Sequence, residues 1–262
     1  MDAILAIAKK HQLRILEDAA HAHGSEWRGK RIGSVGDISS FSFQTGKVIT
    51  SGDGGALTTG DEALAALCRS LREFGYRHPE PLKTSNYRMT EFQGAILQVQ
   101  LSRLDEQISV RAGNARYLAE CLSGIGGLAL DARDERVSRL SWYLAHLKYD
   151  ARHFGGLPKQ RFIDAMRAEG APVSNVYQPL HSLPLFTQRR FGPWGCPVTC
   201  EKYGEPIDSR AVSCPVADRA YREEGLWLDH DEGVLGGSRA DVEGWVGAVE
   251  KVKENLSELG EA

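Results

Sequence analysis

Long apolar runs are missing from this chain. No stretch of the 262 residues approaches the roughly 18 to 20 apolar positions of a membrane-spanning helix, so a membrane-embedded protein is not expected. An excess of one charge sign is missing too. The formal net charge is -3 with both signs interspersed, which gives a polyanion such as nucleic acid no basic face to bind. The N-terminus, "MDAILAIAKKHQLRILEDAA", lacks the basic, apolar, small-residue order of a secretory signal and reads as an amphipathic helix feeding a strand. A cytoplasmic protein is therefore expected. Cysteine is sparse and odd in number: the five are Cys68, Cys121, Cys196, Cys200 and Cys214, too scattered for a disulfide scaffold. Cys196, Cys200 and Cys214 with His181 or His230 have the residue types of a zinc set, but C-P-V-T-C is not a strong zinc spacing, so no metal is expected.

What is present is an ordinary globular composition, 42% hydrophobic and 26% charged, enough to fill a core. The first part reads as helix, strand, strand, strand, helix. Residues 3–11 are amphipathic, "LRILEDAA" is a buried strand, "GDISSFSFQ" a second strand, and "GGALTTG" a third. Residues 61–74 form a helix with Asp61 as N-cap and Gly75 as the stop. A long helical stretch from Thr90 to Leu122 carries a stripe of Ile96, Val99, Leu101 and Leu104, with a bend or break expected at Val110 to Gly113. Past Gly124–Gly127 come a strand in "RLSWYLAHLKYD", a helix in "LPKQRFIDAMRAEG", strands in "APVSNVYQPL" and "LWLDH", and helices in "ADRAYREEG" and after Ser238. This is α/β grammar followed by α+β. The expected division is a large α/β domain over 1–124, including the long helix, and a smaller α+β domain over 125–262.

The chemistry-bearing residues cluster at expected strand ends. Asp18 and His21 close the first strand in "EDAAHAHG"; Ser42, Gln44 and Lys47 close the second in "FSFQTGK". Open α/β sheets bind ligands at the carboxyl ends of their strands. An acid, an imidazole, a hydroxyl and an amine meeting there suit pyridoxal 5'-phosphate (PLP): an amine to condense with the aldehyde, a carboxylate to pair with the pyridinium nitrogen, a hydroxyl for the phosphate. Each has an ordinary alternative. Lys47 alone would pass for a solvated loop lysine, Asp18 for a cap, His21 for a core histidine and Ser42 for a strand serine bonded to backbone. Gly52, Gly54 and Gly55 lack the register of a nucleotide-binding loop and read as positive-φ turn residues. Tyr177 and Trp142 read as core.

Taken together, "ILEDAAHAHG", "GDISSFSFQTGK" and "GDGG" resemble the core of the DegT/DnrJ/StrS family of fold-type I, PLP-dependent sugar and aminocyclitol aminotransferases. "NYRMTEFQGAILQVQLSRLDE" resembles its next block, and "VYQPLHSLPLF" with "CPVADRAYREEGLWLDH" its C-terminal domain, most like the branch acting on keto-cyclitols such as scyllo-inosose. The resemblance implies a mainly parallel, three-layer sheet domain, here incomplete, with a smaller C-terminal domain. It implies Lys47 as the Schiff-base lysine and proton shuttle, Asp18 on the ring nitrogen, His21 against the ring and Ser42 at the phosphate. It places Gln44, His181 and His230 toward substrate, and Asn86 and Arg88 in a loop that meets a partner subunit's site in a homodimer. The implied reaction moves an amino group from glutamine or glutamate to a keto-sugar or keto-cyclitol. The dehydratase relatives replace the lysine, which is kept here. Family members carry a long N-terminal segment that cradles the phosphate and has no counterpart in this sequence, so a truncated, non-catalytic remnant or partner module of the same fold is the rival expectation.

Overall fold

The computed structural model describes residues 1–76, 78, 83–131, 134–188, 212–229 and 233–259. The chain forms two compact units, each assembled from separated segments. The first is Met1–Tyr117, Ala132–Leu144 and His230–Val242; the second is Leu118–Asp131, Ala145–Asp229 and Glu243–Ala262.

In the first unit, α1 (Asp2–His11) ends where Gln12 turns left-handed, at φ 53°. β1 (Leu16–Asp18) follows and pairs in parallel with β4 (Ile38–Ser42), Leu16 opposite Ile38 and Asp18 opposite Ser40. Only the middle residue of β1 is buried, and it is Glu17, while Leu16 is 68% exposed. The apolar strand expected from "LRIL" is thus an exposed edge. Glu17 is tolerated inside because its carboxylate takes backbone N–H groups from Gly33 (3.3 Å), Val35 (3.0 Å) and Gly36. β5 (Gly55–Thr58) runs antiparallel to β4, giving the order β1-β4-β5. Between β1 and β4 lies a hairpin that the sequence pattern does not announce: β2 (Glu26–Trp27) and β3 (Lys30–Arg31) around Arg28 and Gly29, both at positive φ. Arg28 meets that demand while its guanidinium pairs with Asp2 at 2.8 Å.

Helix α2 (Glu62–Arg72) starts on Asp61, whose carboxylate accepts from the N–H of Ala63 (2.8 Å) and Leu64 (3.1 Å), as its sequence predicts. Helix α3 (Glu91–Ile125) is continuous through Val110 to Gly113, where a bend or a break was expected, so the break does not occur. The buried side chains of Leu104, Ile108, Ala115, Leu118 and Leu122 recur along it, and their packing outweighs the roughly 1 kcal/mol that a helical glycine costs. Of the apolar stripe, only Leu104 is buried; Ile96, Val99 and Leu101 face solvent. Leu104 and Ile108 pack on Val48 and Ile49, with Phe43 and Tyr143 against the cluster.

The second unit holds the sheet β6-β8-β10-β9, from β6 (Leu128–Leu130), β8 (Leu144–Tyr149), β9 (Ser174–Asn175) and β10 (Gly225–Asp229). β7 (Val137–Arg139) belongs instead with β2 in the first unit. Alternation on β8 buries Ala145, Leu147 and Tyr149, the period-two signature of a one-sided strand. Tyr149, Phe154 and Phe162 of α4 (Lys159–Ala168) form an aromatic core at centroid spacings of 4.9–5.1 Å. The expected helix "ADRAYREEG" is a short α turn, Pro215–Arg219, that widens into a π turn over Ala220–Glu224. Lys159 explains that widening: 4% exposed, it donates Nζ to Asn175 Oδ1 (2.7 Å), to the Gly225 carbonyl (2.9 Å) and to the Tyr221 carbonyl. Tyr177, expected in the core, is 67% exposed and meets Trp227 edge-on; Trp142 is buried as expected. Among the described residues, no helix is long and apolar enough to cross a membrane.

Candidate active site

The parallel pairing of β1 with β4 brings the two chemistry-bearing strand ends to one edge of the sheet. Past Asp18 the pairing continues for one step, since the Ala19 N–H reaches the Ser40 carbonyl at 2.8 Å. The chain then turns, with Ala22 N–H on the Ala19 carbonyl (2.9 Å), and Asp18 Oδ1 accepts the N–H of Ala20 at 3.1 Å. The turn leaves His21 exposed and sends His23 inward.

Across the edge, β4 ends in a loop built from its own polar groups. Ser42 Oγ accepts the Gln44 N–H (3.3 Å), Gln44 Oε1 accepts the Gly46 N–H (2.9 Å), and the Lys47 N–H reaches the Gln44 carbonyl (2.9 Å). Gln100 of α3 clamps the far side, accepting the Thr50 N–H at 3.2 Å and donating to the Thr50 carbonyl at 2.9 Å. Gly52 and Gly54 hold φ of 85° and 119°, the turn duty expected of them, whereas Gly55 opens β5 where a Cβ would meet the Phe41 carbonyl at 2.9 Å.

Lys47 is half-buried, with Nζ 4.9 Å from the centre of the Tyr143 ring. Burial pulls its pKa below that of a free lysine, with Asp18 acting in the opposite sense. The His21 ring lies on the same Tyr143, centroids 4.1 Å apart and planes at 33°. Burial lowers the His21 pKa, Lys47 adds to that, and Asp18 opposes it. Asp18, His21 and Lys47 therefore share one electrostatic field, and Ser42 and Gln44 sit on the loop that carries Lys47.

Asn86 and Arg88 pair with each other and with their own neighbours. Asn86 makes a bridge to Glu73, and its Oδ1 accepts both the backbone N–H and the Nε of Arg88 at 3.1 Å; both residues are exposed, and the Arg88 guanidinium lies over Phe74. His181 belongs to the second unit, with Nε2 3.2 Å from Asp218 Oδ1. His230, Cys196 and Cys200 lie outside the described residues.

Two further residues join the site that the sequence pattern does not single out. Tyr143 has no signal of its own, being one aromatic among several in "LSWYLAH". His23 has one: it lies two residues from His21 in "EDAAHAHG". It is 3% exposed, and its ring lies 5.4 and 5.8 Å from those of Phe41 and Phe43. Burial pushes its pKa down to about 4.

The model of the DegT/DnrJ/EryC1/StrS aminotransferase family matches residues 1–224. The chain belongs to this family. A Micromonospora echinospora member, provisionally named an L-glutamine:3-amino-2,3-dideoxy-scyllo-inosose aminotransferase, is 37% identical over 267 residues, covering 99% of this chain and 63% of that protein. The L-glutamine:2-deoxy-scyllo-inosose aminotransferase of Streptoalloteichus tenebrarius is 36% identical over 99% of this chain and 63% of its own length. Among solved structures, 3-amino-5-hydroxybenzoic acid synthase superposes with a TM-score of 0.73 at 31% identity, covering 95% of this chain and 64% of that one. S. venezuelae DesV, solved with a ketimine intermediate, gives 0.74 at 29% identity, covering 97% and 62%. The DegT-family chain thus spans about 63% of the length of the curated relatives it matches. The likeness to DesV and the synthase extends the family assignment to the fold: an incomplete fold-type I, mixed α/β arrangement.

Proposed function

We propose that this chain carries out PLP-dependent amino transfer from glutamine or glutamate to a keto-cyclitol or keto-sugar of the scyllo-inosose type, in the cytoplasm. The observation that carries the reading is the half-buried Lys47 amine, its pKa lowered, in one field with the Asp18 carboxylate and the His21 ring. The scyllo-inosose names of the curated relatives support the substrate class, and their L-glutamine names support the donor.

The donor set fits PLP. When bound, that group supplies an aldehyde for amine exchange and a ring that draws electrons from the bond being broken. The protein's part is to hold and to move protons. A lowered pKa enlarges the neutral fraction of Lys47, the form that attacks a carbonyl and that can take a proton from carbon. Asp18, at the strand end, provides the negative charge that keeps a pyridine-type nitrogen protonated. His21 offers a flat ring to lie against, and Ser42 a hydroxyl for a phosphate. Gln44, His181 and His230 are assigned to the acceptor substrate. Asn86 and Arg88 are assigned to a partner's site in a homodimer; their exposure, and the exposed Phe92, Ile96 and Val99 on α3, support that assignment.

The test is the visible absorbance of the chain after PLP is added, with and without Lys47→Ala, followed by transamination with L-glutamine. Wild type is expected to gain a band that the variant lacks, and the variant's turnover to fall about a thousandfold or more. Identical spectra would remove Lys47 from the reaction.

A further inference from the structure

Residues 140–143 join β7 to β8, and Trp142 sits among them 4% exposed with φ at 56°. That region is rarely occupied by a bulky aromatic residue. Such conformations persist only where the surroundings enforce them, and they concentrate at functional sites. The enforcement is visible here. The Ser141 N–H donates to Ser25 Oγ at 3.0 Å, and Ser141 Oγ donates to the His21 carbonyl at 2.9 Å. The connection is stitched to the very turn that carries His21.

Tyr143 comes next, packed on the cluster of Val48, Ile49, Leu104 and Ile108. Its ring meets the His21 imidazole at 4.1 Å and the Lys47 ammonium at 4.9 Å. A cation within about 6 Å of an aromatic centroid is attracted by the ring's quadrupole, and tilted rings at this spacing attract each other. Two groups from different strand ends are therefore held by one side chain that arrives from a third, distant segment.

We propose that Tyr143 is a positioning residue, which braces the His21 ring and rests the Lys47 amine against its π-face so that the two are aligned before a ligand enters. An unbraced lysine would sample many rotamers, and the entropy of ordering it would fall on each binding event. The importance of this role rests on Lys47 and His21 being the reactive groups proposed above; the contact itself does not.

The test uses NMR on the unliganded chain, with wild type, Tyr143→Leu and Tyr143→Phe. Wild type is expected to show contacts between His21 and Tyr143 ring protons, and a ring-current displacement of the His21 Hε1 signal. Tyr143→Leu should lose that displacement and lower the Lys47 pKa by about half to one unit, read on isotopically dimethylated lysine. Tyr143→Phe, which keeps the ring, should restore both. Absence of the ring–ring contact in wild type overturns the proposal even if the leucine variant does not fold. So does a leucine variant with unchanged His21 and Lys47 signals, or a phenylalanine variant that behaves like leucine. A PLP band that does not depend on Lys47 would instead defeat the proposed function while leaving these readouts intact.

Discussion

His23 makes the first unit sensitive to acid in a way that can be worked out from its surroundings. Its ring is closed in by Phe41 and Phe43. Burial pushes its pKa from 6.5 to about 4; the Ser42 backbone, the next largest influence, opposes that shift, and Lys47 and His21 add to it. As pH falls through about 6.5, the unfolded chain takes up the proton and the folded one does not, so stability is lost. The loss ends near pH 4, where the folded ring also protonates, and it should total about 3 kcal/mol, of which about 2 are gone by pH 5. Above pH 6.5 the contribution is constant. His23→Leu conserves volume and removes the titrating group, and the apolar side chain suits a site walled by Phe41 and Phe43, so neutral-pH stability should hold. Urea unfolding of both chains at pH about 7.5 and 5 isolates the effect, because the carboxylates common to both cancel in the difference. The wild type should lose about 2 kcal/mol more than the variant over that interval. Parallel losses, or a His23 ring that titrates near 6.5 by NMR, would refute the argument.

Two other buried groups give sharp expectations. Lys159→Met leaves the Tyr221 and Gly225 carbonyls and Asn175 without their donor and should destabilise the second unit by about 3 kcal/mol or more, read by urea unfolding; a cost under about 1 kcal/mol would show that water replaces the amine. Glu17→Gln can keep an oxygen on the N–H groups of Val35 and Gly36 only by turning its NH2 toward the Gly33 N–H, which then lacks its acceptor, and should cost about 1–2 kcal/mol; hydrogen exchange at residues 33–36 should speed up while α3 is unaffected.

How far the sequence carried depended on whether a feature was local. Asp61 caps α2 with its own side chain, and Gly52 and Gly54 need only their own φ, so both were legible. The hairpin at Arg28–Gly29 was not, because its first turn residue lacks the asparagine or aspartate signal and is held by Asp2, far away in the chain. The expected break in α3 failed for a similar reason: propensity at Gly113 is local, while the packing that overrides it comes from the rest of the unit. Glu17 and Leu16 exchanged their expected sides since the hydrophobic pattern cannot show that β1 is an edge or that three backbone N–H groups converge on a carboxylate. The cofactor residues drew notice by their residue types at expected strand ends, and the resemblance gave each its role.

What turns those residues into a candidate site is strand direction. β1 and β4 are parallel, with Asp18 opposite Ser40, so the ends bearing Asp18 and Ser42 fall at the same edge. Had β1 been antiparallel to β4, Asp18 would lie beside Ile38, about 13 Å from Ser42 at the usual rise per residue, and its charge would fade at Lys47. The short sequence between the motifs cannot show this, since a chain of that length can return by either route. A parallel return requires a crossover connection, and here the β2–β3 hairpin supplies it, with β7 added at its side. The same arrangement places Ser138 and Ser141 against residues 21–29, through Gly29 N–H on Ser138 Oγ (2.8 Å) and Ser141 on His21 and Ser25. The crossover that makes the strands parallel is thus also the anchor that delivers Tyr143 to His21 and Lys47. Crossover and alignment then stand or fall together: a change that frees β7 from β2 should disturb the His21 ring before it disturbs β1.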